Sequence, residues 1–159
     1  MPSFRSVWHC RSVVLLLLCF WCTFLSAEEE IQIDRRTSLV RQIEKVEPCV
    51  VSLFAKAEEG SEGSTGSGVL IHHWGFVLTC DHVVRNRPGY AVLSGNRIRP
   101  YRIVARLPEH DLAILQLAGD GKYPYAKLGK SGDVMTGESI FSAGNPGGRG
   151  IIFTTGIIS

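Results

Sequence analysis

After residue 46 the apolar positions of this chain come in short runs separated by turn residues, and not in long helical stripes. Cys49-Val50-Val51-Ser52-Leu53-Phe54-Ala55 is the first run and predicts a strand. The Gly, Ser and Glu of Glu58 to Thr65 predict an exposed loop. Gly68 to Ile71 and Phe76 to Thr79 predict two more strands. They are joined by a hairpin turn at His72-His73-Trp74-Gly75, where Gly75 supplies a positive φ. Tyr90 to Leu93 and Arg102 to Ala105 flank the turn Ser94-Gly95-Asn96. The loop Leu107-Pro108-Glu109-His110 leads to Asp111, which heads the run Leu112-Ala113-Ile114-Leu115-Gln116-Leu117, and Gly119-Asp120-Gly121 turns after it. Ser139 to Ala143 and Ile151 to Thr154 close the series across the break Gly144-Asn145-Pro146-Gly147-Gly148. One helical period stands apart. Leu39, Val40, Ile43 and Val46 recur at spacings of three and four, which predicts a short amphipathic helix packed on the domain, starting near Thr37 or Ser38 and stopped by Pro48. Many short strands with little helix predict an all-β antiparallel barrel or sandwich.

The first 27 residues do not fit that pattern. Arg5 and Arg11 precede the uncharged run Val13 to Leu25, and Ser26-Ala27 come just before Glu28-Glu29-Glu30. This is the form of a cleaved signal peptide, since a thirteen-residue run is short of the roughly 20 a spanning helix needs. An uncleaved segment at 13–25 would instead anchor the chain to a membrane. The expected layout is a leader at 1–27, a helical lead-in at 28–47 and one barrel-containing domain at 48–159. Of the 17 basic residues, Arg5 and Arg11 fall in the leader, which leaves fifteen against fifteen acidic residues. That balance argues against nucleic-acid or membrane-surface binding through bulk charge.

The candidate chemistry begins at Phe76-Val77-Leu78-Thr79-Cys80-Asp81-His82-Val83-Val84. A strand that ends in Thr-x-x-His puts an imidazole on a short turn with rigid structure behind it, as a general base requires. Asp111 follows 29 residues later at the head of an apolar strand. A buried carboxylate on the far ring nitrogen would fix the tautomer of His82 and stabilise its imidazolium. His before Asp, with a serine last, is one of the known triad orders. Asp81 adjoins His82 but points elsewhere on a turn, and His72, His73 and His110 read as solvated. Cys49 and Cys80 remain after the leader's Cys10, Cys19 and Cys22 are set aside. They read as two buried thiols, with a disulfide as the alternative that an exported compartment permits. Cys80 and His82 are too few ligands for a zinc site, so neither a metal nor a cofactor is expected.

Taken in order, Gly66-Ser67-Gly68-Val69-Leu70-Ile71, Leu78 to Val84, Asp111-Leu112-Ala113-Ile114-Leu115, Gly144 to Gly148 and Thr155-Gly156-Ile157-Ile158-Ser159 resemble the HtrA/Deg family of trypsin-like serine endopeptidases. The resemblance runs from about Leu39 to Ser159. It implies a chymotrypsin-like fold, here the first barrel and the start of a second, with His82 as general base and Asp111 as its orienting acid. It further implies unfolded polypeptides as substrates, no cofactor and a homotrimer, while the leader at 1–27 implies export to a periplasmic or extracellular location.

The family's Gly-x-Ser-Gly-Gly nucleophile turn is not among these residues. Ser67 precedes the histidine on an early strand. Gly129-Lys130-Ser131-Gly132 lacks the second glycine and follows Asp111 too closely, and Pro124 spoils it as a phosphate loop. Ser159 belongs to a strand. His82 and Asp111 without a nucleophile and its oxyanion donors have nothing to activate. The expectation is therefore an inactive N-terminal portion of a protease. The alternatives are a non-catalytic binding or scaffold module that keeps half the fold, or a metal or redox protein using Cys80 and His82.

Overall fold

The computed structural model describes residues 34–57, 62–146 and 149–159. The leader expected at 1–27 lies outside them. Residues 36–159 form one compact unit. Among the described residues it holds α1 (Ser38–Val46), β1 (Val50–Ala55), β2 (Ser64–His72), β3 (Phe76–Thr79), α2 (Asp81–Val84), β4 (Gly89–Leu93), β5 (Arg97–Leu107), β6 (Leu112–Leu117), β7 (Ser139–Gly144) and β8 (Ile152–Ile157). Strands β1 to β6 close into an antiparallel barrel in the order β1-β2-β3-β6-β5-β4, with β4 pairing back onto β1. Strands β7 and β8 form a separate two-stranded sheet.

Alternation fills the barrel. Ala113, Leu115 and Leu117 of β6 are buried and the residues between them are not. Val77 and Thr79 on β3, Gly68 and Leu70 on β2, and Ala91 and Leu93 on β4 follow the same rule. Strand β1 differs, because Val50, Val51, Ser52 and Leu53 are all buried. One face of β1 is the barrel interior. Over the other lies Asn145, just past β7, which is 2% exposed. Its amide nitrogen Nδ2 donates to Ser52 Oγ at 2.6 Å and its backbone N–H donates to Ser67 Oγ at 2.5 Å. Ser52 and Ser67 are direct partners in the β1–β2 ladder, so one buried asparagine ties the end of β7 to two barrel strands.

Three elements differ from the sequence expectation. Strand β2 begins at Ser64, inside the stretch read as loop, because its outer residues need no hydrophobic run once β1 supplies ladder partners back to Ala55. Strand β5 runs for eleven residues where four were expected, and it contains Pro100. Arg97–Tyr101 pairs with β4, whereas pairing with β6 begins only at Tyr101. Pro100 thus sits in a half of β5 that is paired on one side, where a missing N–H is tolerated. Helix α1 forms as read, with Thr37 Oγ1 accepting from the Val40 N–H at 3.2 Å, yet it buries no residue and Leu39 and Val40 stay exposed. No helix among the described residues is long and apolar enough to cross a membrane.

Candidate active site

Thr79 ends β3 by donating its hydroxyl to the Ser67 carbonyl at 2.7 Å, which locks that end of the strand to β2. Cys80 is extended, and one turn of helix, α2, follows. His82 therefore stands on a single helical turn, which is the form taken by the short turn read from the sequence. Val83 and Val84 of α2 point into the core, so His82 faces outward. Gly66 lies beneath Val83, and a Cβ at Gly66 would come within 2.6 Å of both Val83 methyl carbons. The first glycine of Gly66-Ser67-Gly68 thus makes room for the turn that carries the histidine, and Ser67 anchors Asn145.

Asp111 reaches this turn from the other side. A 3₁₀ turn at Pro108–His110 precedes it, and its own φ of +54° is left-handed, a conformation aspartate tolerates better than most residues. Its main-chain carbonyl accepts from the Asp81 N–H at 3.1 Å. Its Oδ1 accepts from the His82 N–H at 2.9 Å, and its Oδ2 faces His82 Nδ1 at 2.7 Å. With a carboxylate there, Nδ1 carries the proton and Nε2 is left as the acceptor. The bonds to the His82 backbone and then to its ring hold the Asp111 carboxyl below the usual carboxylate range. Among the described residues the Asp111 side chain is 48% exposed and that of His82 62%, and the two hydrogen bonds hold the pair.

Asp81 turns away from the imidazole and binds Arg106 of β5 with both oxygens, at 2.5 and 2.7 Å to Nε and Nη2. That fork keeps the Asp81 carboxyl below its ordinary value. Sequence reasoning missed Arg106, because only the β5–β6 register puts it beside α2. It also misplaced Cys80. Both cysteines are free, but only Cys49 is buried; Cys80 is exposed, and neither lies in a strand. Partial desolvation by its neighbours first, and the Asp111 charge second, push the Cys80 thiol up. Asp111 also adds a third donor beside Cys80 and His82, where the sequence counted two. His73 and His110 are exposed, and His72 is half-buried on the hairpin turn, its Nδ1 accepting from the Trp74 N–H at 3.3 Å. Ser131 lies in an exposed 3₁₀ turn. Ser64 is close to α2, but its hydroxyl donates to the Val83 carbonyl and accepts from Arg87.

A closed six-stranded antiparallel barrel with a histidine and an aspartate joined at one end defines a protein of the trypsin-like fold class. The trypsin-like peptidase domain profile matches residues 66–159, and the chain belongs to that family. Its relatives are of the HtrA/DegP type. It is 35% identical over 107 residues to a probable periplasmic serine endoprotease DegP-like of Marinomonas sp., covering 66% of this chain and 22% of that protein. It is 32% identical over 123 residues to human serine protease HTRA4, covering 74% of this chain and 26% of that protein. Among solved structures, the HtrA-type protease AlgW with tripeptide superposes with a TM-score of 0.71 at 31% identity, covering 77% of this chain and 40% of that one. The chain thus spans about a quarter of the length of these curated relatives.

Proposed function

We propose that these residues form the histidine–aspartate half of a serine endopeptidase that acts on unfolded or damaged exported polypeptides. The observation that carries the reading is the doubly tied pair, with Asp111 Oδ2 2.7 Å from His82 Nδ1 and Oδ1 on the His82 backbone. In this reading His82 Nε2 takes the proton of a serine as its oxygen attacks the peptide carbonyl. The Asp111 carboxylate stabilises the resulting imidazolium, and His82 then returns the proton to the leaving amine. The nucleophilic serine and its oxyanion donors come from outside residues 1–159, and these residues alone are inactive. The hydroxyls of Ser64 and Ser67 are already engaged with the barrel, which supports this division. The names of several relatives, given as periplasmic serine endoproteases, support an exported location. The homotrimer rests on the family resemblance alone.

The test is cleavage of an unfolded polypeptide by the protein as its source produces it. Asp111→Asn is expected to lower kcat about 10⁴-fold by favouring the wrong tautomer, and His82→Ala to abolish turnover to a similar degree. Variants that cleave at the native rate would remove both assigned roles. Equal activity of residues 1–159 alone would remove the division of the triad.

A further inference from the structure

Cys80, His82 and Asp111 each offer one donor atom, and these three atoms lie within 4.8 Å of one another. His82 and Asp111 have a use in the proposed reaction; Cys80 has none. We propose that the three residues form a binding site for a thiophilic divalent cation, best suited to Zn²⁺, and that the bound ion holds His82 in the tautomer that cannot accept a serine proton. The site rests on geometry. Its inhibitory effect rests also on the protease reading.

The donor set is one thiolate, one imidazole and one carboxylate, which matches a borderline-soft ion and not Mg²⁺ or Ca²⁺. Donors around a tetrahedral zinc stand about 3.3–3.6 Å apart, given its usual bond lengths. The Nδ1···Oδ2 contact at 2.7 Å has to open by less than about 1 Å, and the sulfur, which lies within 4.8 Å of a ring nitrogen and of a carboxylate oxygen, has to close on them by no more than about 1.5 Å. The backbone beneath is already fixed, since the Asp81 N–H bonds to the Asp111 carbonyl and the His82 N–H to Oδ1. Oδ1 is therefore an oriented outer contact, and Oδ2 remains to bind the ion. All three side chains are solvent-accessible, so they can rotate into place and a water can fill the fourth position.

The charges close: two negative ligands meet a doubly positive ion. Cys80 loses its thiol proton to solvent. The imidazole binds through Nδ1 and stays neutral, its proton moving by way of water to Nε2, so one proton leaves per ion. A protonated Nε2 can only donate. The ion also occupies Oδ2, the atom that otherwise holds Nδ1–H. Ion and catalytic hydrogen bond thus compete for the same two atoms.

Cobalt titration of the reduced full chain tests this, with Cys10, Cys19 and Cys22 replaced by serine so that Cys49 and Cys80 are the thiols left among residues 1–159. One equivalent is expected to bind with a thiolate-to-cobalt charge-transfer band. That band should persist in Cys49→Ser, vanish in Cys80→Ser, yield to Zn²⁺ and ignore Mg²⁺. Zn²⁺ affinity should fall at least about 100-fold in Cys80→Ser, more than the loss of an outer contact produces. The nitrogen-15 spectrum of His82 should show its proton on Nδ1 without zinc and on Nε2 with it. No band in the parent chain, or a band that survives Cys80→Ser, would overturn the site while leaving the protease reading intact. A Cys80-dependent band on a protein without protease activity would uphold the site and remove only its inhibitory role.

Discussion

Asp111 meets α2 at three points: its carbonyl on the Asp81 N–H, Oδ1 on the His82 N–H and Oδ2 on the imidazole. Two of these bonds go to the carboxylate and favour its charged form, which is why its pKa lies below the ordinary value. A carboxyl depressed in the folded state stabilises the fold above the unfolded pKa, near 3.9, and loses that contribution as pH falls through the lower folded value. Carbon-13 titration of the Asp111 carboxyl is expected to give a midpoint below that of a free aspartate, and Asp111→Asn to flatten the acid limb of urea stability. A midpoint at or above the free value would mean the two bonds are not held in solution. His82 and Asp111 were both legible as candidates mainly through the family resemblance of the motifs around them, since a histidine at a strand end and an acid at a strand head are weak local signals on their own. The way Asp111 is held was not. Its left-handed backbone and its bond to the His82 N–H depend on a 3₁₀ turn that Leu107-Pro108-Glu109-His110 announces only as a loop.

At the scale of elements, α2 has four residues and cannot hold itself together. It is fastened by Val83 over Gly66, by Val84 in the core and by the Asp81–Arg106 fork to β5. Asp81 is the more enclosed partner, its side chain 10% exposed against 30% for Arg106. Arg106→Ala is therefore expected to destabilise more than Asp81→Ala, because it strands the better-buried charge. The double variant should be less stable than wild type by clearly less than the two single losses together. Additive losses in urea denaturation would show the fork uncoupled. Sequence reading stopped short here for a specific reason. Pro100 and the arginines Arg97, Arg99, Arg102 and Arg106 break up the apolar positions of β5, so the strand read as the four residues 102–105, and Arg106 fell outside it.

At the scale of the whole molecule, short apolar runs broken by turn residues made the all-β class readable, while the barrel was read through the family resemblance and its closure by β1–β4 pairing, which joins strands distant in sequence, was not visible in the runs themselves. Leu53, fully buried on β1, lies in that closure. Leu53→Ala is expected to cost about 2–5 kcal/mol in denaturant unfolding, as core leucine truncations do. A loss well under 1 kcal/mol would mean the barrel does not close around it. The role of Asn145 likewise became visible only when the fold set Ser52 beside Ser67. The central claim, that His82 and Asp111 serve a serine outside residues 1–159, is tested most directly by one labelling experiment. The native protein is treated with a phosphonofluoridate that modifies only activated serines, and the labelled peptide is sequenced. One labelled serine is expected, in a Gly-x-Ser-Gly-Gly turn absent from residues 1–159, with labelling lost in His82→Ala. A label on Ser64, Ser67 or Ser131, or no label on the intact native protein, would contradict the account.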